Sequence, residues 1–161
     1  MSDLLRITSY RDALDRFSWE GLWALFDGSR EQLNIAFECL DRHEPEATAA
    51  RIIRPDGGVE ERSFGELSIA TAQFAHALER RGIEEGAPVG ILLEPSPEFY
   101  TALFGTLKRG AVAVPLYTLF GADAVRERLD GCGAALLVVD GAGEAIAGRG
   151  ERPHLTFDAR L

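Results

Sequence analysis

The sequence predicts an α/β fold: a mostly parallel, doubly wound sheet, preceded by an N-terminal helical arm and a β-hairpin. Three short apolar runs, at 89–93, 111–116 and 134–139, alternate with helical patterns. The first two runs and the helix between them have the length of a βαβ crossover, which joins parallel strands by a right-handed connection. Repetition of that unit favours a sheet with helices on both faces.

Residues 1–47 are predicted to form the helical arm. Aromatic and apolar residues recur at helical spacing as far as Gly28, and a second helix is expected to end at Pro45. The two apolar sides comprise Trp19, Leu22, Trp23 and Phe26, and then Leu33, Ile35, Ala36, Phe37 and Leu40. Such stripes are more often packing surfaces than cofactor-binding elements, so we expect the arm to pack against the rest of the chain.

The remaining residues, 48–161, are expected to form a first α/β subdomain that opens with a hairpin. Strand-like segments at 48–54 and 59–63 flank a turn rich in glycine. Ser63 and Glu66 then match a capping box, so an amphipathic helix is predicted to start there and to end before Gly82.

The helix of the crossover, predicted at 97–109, carries charge only at its ends. Ser96 is suited to cap it and Pro97 to begin it. One side holds large apolar residues and the other small ones, which predicts burial on more than one side. Beyond it, helices are expected at 122–129 and 141–148, and a last strand at 154–157.

Composition excludes several classes of protein. The 161 residues allow one domain with its own core, and a net charge of −9 argues against a nucleic-acid partner. No apolar run approaches the roughly 18 residues of a membrane span, and the N-terminus lacks the pattern of a secretory signal. The two cysteines lack metal-binding spacing and are interpreted as reduced thiols. We therefore expect a cytoplasmic protein without a membrane span.

The residues alone predict no complete active site. The glycine-rich segment 141–150 follows a strand, where a phosphate-binding loop would lie, but Ile146 stands where the dinucleotide fingerprint needs glycine. Gly148-Arg149-Gly150 replaces the Gly-Lys-Ser/Thr of a P-loop. The acidic residues show no spacing typical of paired-carboxylate catalysis.

Four segments, taken in order, resemble the AMP-forming acyl-CoA synthetases of the adenylate-forming superfamily, in particular the acetyl- and medium-chain branch. These segments are LNIAFECLDRH (33–43), the hairpin and helix at 62–91, EPSPEFYTALFGTLKRGAVAVPL (94–116) and TLFGADAVRERLDGCGAALLVVD (118–140). Their order and spacing, rather than any single segment, carry the resemblance, which covers residues 33–140.

The resemblance implies a two-step reaction. A carboxylic acid attacks ATP with Mg²⁺ to give acyl-AMP and pyrophosphate, and coenzyme A then displaces AMP to give a thioester. It also implies that Phe120 and Gly121, after the second strand of the crossover, and Arg149 approach the coenzyme A nucleotide. The basic residue expected three positions before Arg149 is Ile146, so one of the two basic residues that would hold the phosphate is missing. The alternative interpretation of Arg149 is a surface arginine.

The family's phosphate loop, ribose-binding aspartate, hinge and catalytic lysine have no counterpart in these 161 residues. The first hypothesis is therefore an N-terminal segment of a synthetase, inactive alone, whose partner is the missing C-terminal remainder or a second copy. The alternative is a free-standing, non-catalytic α/β module that binds a nucleotide or coenzyme A. Its site would be the crevice formed by the loops at 94–95, 117–121 and 140–143.

Overall fold

The structure, a computed structural model, describes residues 7–54, 56–147 and 153–157. Two short helices and a π-helix come first: α1 (Tyr10–Arg16), α2 (Trp19–Trp23) and the π-helix (Phe37–Asp41). A hairpin and a long helix follow: β1 (Thr48–Ile53), β2 (Val59–Ser63) and α3 (Phe64–Arg80). The remaining elements are β3 (Pro88–Leu92), α4 (Pro97–Lys108), β4 (Val112–Pro115), α5 (Ala122–Gly131), β5 (Leu136–Val139), α6 (Gly141–Ala147) and β6 (His154–Thr156).

The main sheet confirms the predicted class. Its four strands are parallel in the order β4-β3-β5-β6, and β1 and β2 form a separate antiparallel pair. Val89 of β3 lies opposite Ala113 of β4 on one side and Leu136 of β5 on the other. The chain thus passes from β3 to β4 on one side of it and then to β5 on the other side. This change of direction places helices on both faces of the sheet.

Two apolar clusters lie on the two faces of this sheet, because successive strand side chains point to opposite faces. The α3/α4 face includes Phe74, Leu78, Ala102, Val89, Ile91, Leu136 and Val138. The α5/α6 face includes Leu92, Leu137, Val139, Val125 and Leu129, with Ile146 packed against them. Strands buried on both faces explain why the sequence shows continuous apolar runs rather than alternation.

Local signals in the sequence positioned α3 and α4 correctly. Ser63 and Glu66 form both hydrogen bonds of the capping box, and Ser96 Oγ accepts from the backbone N–H of Phe99. The side of α4 that is fully buried is the small-residue side, Thr101, Ala102, Gly105 and Thr106, whereas the large-residue side is half-buried. Small side chains let α3 and α4 approach closely, so α4 is covered most tightly where its residues are smallest.

The N-terminal arm differs from the expectation of two amphipathic helices. The first helical stretch is broken at residues 17–18 into α1 and α2, and Trp19 is 60% exposed. In the second stretch Leu33, Ile35 and Phe37 are exposed, while Glu38 is buried. The apolar side predicted for residues 33–40 is therefore wrong except for Ala36 and Leu40, because the π-helix turns a charged residue inward instead.

Within the described residues, no helix combines the length and apolar character needed to cross a membrane.

Candidate functional site

The candidate site is the crevice at the carboxyl ends of β3, β4 and β5. Leu92 of β3 pairs with Val139 of β5, and the N–H of Leu116 donates to Ile91 O at 2.8 Å just after β4. The loops that follow these three strands therefore leave the same edge of the sheet. Helix α4 leaves β3 on one face and α6 leaves β5 on the other, which is the geometry in which open α/β sheets bind ligands.

The loop 117–121 is held in place at several points but keeps one open position. Thr118 Oγ1 donates to a carboxylate oxygen of Glu94, which ties this loop to the end of β3. The Tyr117 and Phe120 rings meet edge to face at 5.8 Å. Gly121, at the N-terminus of α5, has no heavy atom within 4 Å of the position that a Cβ would occupy. The backbone at Gly121 is thus accessible to a ligand in the crevice.

Phe120 of this loop makes a cation–π contact with Arg128 of α5. The ring is half-buried against the α5/α6 cluster, and the Arg128 guanidinium lies 4.1 Å from its centroid. Arg128 Nη1 also donates to Ala124 O at 2.9 Å. The guanidinium is therefore oriented by an aromatic ring and by the helix backbone while the residue as a whole stays exposed.

The first turn of α6 forms the other wall. Asp140 Oδ1 accepts from the N–H of Gly143 at 2.7 Å, which caps the helix. A Cβ at Gly143 would lie 3.0 Å from Val139 Cβ and 3.2 Å from Leu92 O. Glycine at this position lets α6 begin directly against the ends of β3 and β5.

The charges of the crevice are mainly negative. Its loops contribute the carboxylates of Glu94 and Asp140 and no lysine or arginine. Among the described residues, no group of three or more His, Cys, Asp or Glu side chains is arranged to hold a metal ion. These residues do not fit Mg²⁺, whereas the open backbone at Gly121 and the Phe120–Arg128 pair fit part of a nucleotide.

Of the three residues expected at the coenzyme A nucleotide, the structure places Phe120 and Gly121 beside the crevice. Arg149 lies outside the described residues. Ile146, where a second basic residue is expected, packs against the α5/α6 cluster. Sequence reasoning missed Arg128, although its position seven residues after Gly121 places the two residues on one side of α5.

A groove of about 920 Å³ lies elsewhere, between α3, the start of α4 and β6. Its ionisable lining residues are Arg62, His76, Arg80, Arg81 and Glu98. His76 is exposed, and its Nδ1 lies 3.4 Å from Glu79 Oε2. The lining shares no residue with the loops 117–121 and 140–143, so this groove is a separate surface.

Comparison with known proteins gives the same family for most of the chain. The family model described as "AMP-binding enzyme" matches residues 38–158. Acetyl-coenzyme A synthetase of Bacillus subtilis is 29% identical over 82% of this chain, and the match covers 24% of that protein. The Pasteurella multocida acetyl-coenzyme A synthetase is 33% identical over 69% of this chain and 18% of its own length.

The fold also matches a solved acyl-CoA synthetase. The Brucella canis enzyme aligns with a TM-score of 0.84 and 28% identity over 96% of this chain and 30% of that chain. The present chain thus spans a quarter or less of the curated relatives named above and under a third of this structure. Because the family model covers well over half of its residues, this chain belongs to the family of AMP-binding enzymes.

Proposed function

We propose that this chain forms the first α/β part of an AMP-forming acyl-CoA synthetase. The reaction joins a carboxylic acid to coenzyme A and converts ATP to AMP and pyrophosphate. The observation that carries the proposal is the likeness to the solved acyl-CoA synthetase over nearly the whole chain. The crevice at the ends of β3, β4 and β5 supports it, because open α/β sheets bind their ligands there.

Within such an enzyme we assign this chain a scaffolding role and one side of the coenzyme A site. Phe120 and Gly121 would contact the nucleotide of coenzyme A, and Arg149 would bind one of its phosphates. ATP and Mg²⁺ would be held by the remaining polypeptide of the synthetase. Two unpaired cysteines, Cys39 and Cys132, support a cytoplasmic location.

The proposal also covers partners. The remaining polypeptide of a synthetase would cover the half-buried side of α4 and the outer edges of β4 and β6. Each of these two strands pairs on one side only among the described residues.

We expect the 161-residue chain alone to show no exchange of pyrophosphate into ATP in the presence of a carboxylic acid. Robust exchange by this chain alone would contradict the assignment of a scaffolding role.

A chimera tests the proposed activity directly. The chain would replace the matching segment of the Bacillus subtilis acetyl-coenzyme A synthetase, and exchange would be measured with a panel of short and medium-chain acids. We expect carboxylate-dependent exchange and thioester formation. A folded chimera without exchange would contradict the proposal.

A non-catalytic module that binds a nucleotide or coenzyme A is the second candidate. The observation that favours it is that all three crevice loops are formed within the described part of this chain. Coenzyme A binding by the chain alone, combined with an inactive chimera, would support this candidate over the synthetase.

A further inference from the structure

We propose that Arg128 is a phosphate-binding residue, whose guanidinium, held against the Phe120 ring, takes a phosphate of the coenzyme A nucleotide. This inference rests on the proposed function, because it assumes that the nucleotide enters the crevice beside Phe120 and Gly121. It adds Arg128 of α5 to the residues expected at the nucleotide. Neither the sequence motifs nor the glycine-rich segment 141–150 indicates this arginine.

Charge is the first argument. A nucleotide brings several negative charges to a crevice whose loops carry Glu94 and Asp140 and no basic residue. Phosphates in proteins are held by arginine, lysine or helix N-termini. Arg128 is the cation that the structure places against these loops, 4.1 Å from the centroid of the Phe120 ring.

The surroundings of the crevice offer no obvious substitute among the described residues. The described part of the glycine-rich segment, 141–147, contains one charged residue, Glu144. Ile146 is packed against the α5/α6 cluster, so its position serves the core. Arg126, two residues before Arg128 on α5, is paired with Asp123. Among the described residues, Arg128 is thus the side chain best placed to supply positive charge beside these loops.

The geometry of Arg128 suits a phosphate. Nη1 donates to Ala124 O, and a guanidinium has five N–H donors in a planar fork, so further donors can reach a ligand. Stacking on Phe120 restricts the rotation of this fork, which lowers the entropy lost on binding. Arg128 is also exposed, so the fork is accessible from the solvent side of the crevice.

Calorimetric titration of the 161-residue chain tests the inference with three probes: coenzyme A, adenosine 3′,5′-bisphosphate and pantetheine, which carries no phosphate. We expect Arg128→Gln to weaken binding of the two nucleotides by about tenfold or more, as loss of a charged hydrogen bond does. Pantetheine binding should not change. The affinity of the variant for coenzyme A should also fall less steeply with added salt.

Arg126→Gln is the matched control, because it removes the same charge from the same helix. We expect it to leave every affinity within about twofold, since exposed charges act weakly at a distance. If Arg128→Gln lowers the melting temperature, its loss of affinity no longer reports on phosphate binding alone, and two other variants test the role of Arg128. Arg128→Lys keeps the charge and should bind better than Arg128→Gln, and Phe120→Leu removes the stacking surface and should weaken nucleotide binding.

The outcomes separate the inference from the proposed function. Unchanged nucleotide affinity in Arg128→Gln, or equal losses in Arg126→Gln, would overturn the role of Arg128 and leave coenzyme A binding intact. An unaltered chain that binds neither coenzyme A nor adenosine 3′,5′-bisphosphate would overturn the assignment of this crevice, and the role of Arg128 with it.

Discussion

Glu38 is a charged side chain in the interior of the N-terminal arm, with 4% of its side chain exposed. Its carboxylate accepts from the N–H of Gly28 at 2.8 Å and of Asp27 at 3.0 Å, and it pairs with Arg42. Burial disfavours the charged form, but the hydrogen bonds from Gly28 and Asp27 and the Arg42 guanidinium outweigh burial and lower the pKa of Glu38. The carboxylate therefore fastens the residues after α2 to the π-helix.

Replacing this carboxylate gives a pH-dependent change in stability. A group whose pKa is lowered by folding stabilises the protein above its unfolded pKa, near 4.5 here, and this contribution is lost as pH falls through the folded pKa. We expect Glu38→Gln to unfold at lower urea concentration than the unaltered chain near neutral pH. The difference should shrink as the pH falls below 4.5.

The control for this experiment is Glu127→Gln, the same change at an exposed position of α5. We expect it to shift the urea midpoint little at any pH, because surface charges contribute weakly. A Glu38→Gln effect that is as small as that of the control, or that does not depend on pH, would contradict the role assigned to Glu38.

At the scale of the elements, the packing of α3 against α4 depends on one glycine. A Cβ at Gly105 would lie 2.7 Å from Phe74 Cδ1 and 2.9 Å from both Phe74 Cβ and Thr71 O. Contacts this short force the helices apart, so we expect Gly105→Ala to lower the free energy of unfolding by about 1–3 kcal/mol, despite the better helix propensity of alanine. Chemical denaturation measures the change.

Gly131→Ala is the matched substitution, since Gly131 is also helical and has no atom within 4 Å of its Cβ position. We expect it to be neutral or to stabilise by less than about 1 kcal/mol. Equal effects at the two glycines would show that helix propensity, and not the approach of α3 to α4, determines the cost.

A partly buried ion pair joins the arm to both helices. Lys108 Nζ of α4 donates to Asp41 Oδ1 at 2.7 Å and to Ser68 O of α3 at 3.1 Å, and the two charged side chains are 13% and 26% exposed. We expect a double-mutant cycle of Lys108→Met and Asp41→Asn to give a coupling energy of about 1–2 kcal/mol. The same cycle at the exposed Arg126–Asp123 pair should give about 0.5 kcal/mol or less, and equal couplings would argue against a structural role for Lys108.

The elements that the sequence predicted well are those set by local chemistry. The capping box at Ser63, the Ser96 cap and the continuous apolar runs of β3 and β5 depend on residues close in the chain. The arm could not be predicted in this way, because the burial of Glu38 depends on N–H groups ten and eleven residues away. The loops of the candidate crevice could be predicted from the order of strands and helices. The contact of Arg128 with Phe120 could not, because it depends on the direction in which α5 leaves Gly121.

At the scale of the whole molecule, large apolar side chains remain exposed on the N-terminal arm. Tyr10, Leu14 and Phe17 lie at helical spacing along one side of α1 and are 80%, 62% and 49% exposed, and Trp19 follows at 60%. Contiguous apolar surface of this kind promotes association, whereas a net charge of −9 opposes it. Salt screens the charge without weakening apolar contacts, so the balance between them depends on ionic strength.

We therefore expect the 161-residue chain to self-associate in sedimentation experiments, more strongly at high salt than at low salt. Leu14→Ser with Trp19→Ser should reduce association, because it removes apolar surface from the arm. Ile53→Ser, at a similarly exposed position in the hairpin, should leave association unchanged if the arm carries the contact. A monomer at all concentrations and salt levels, with a sharp two-state melt, would show instead that the exposed side of α1 needs no partner, since such a melt indicates one cooperative domain.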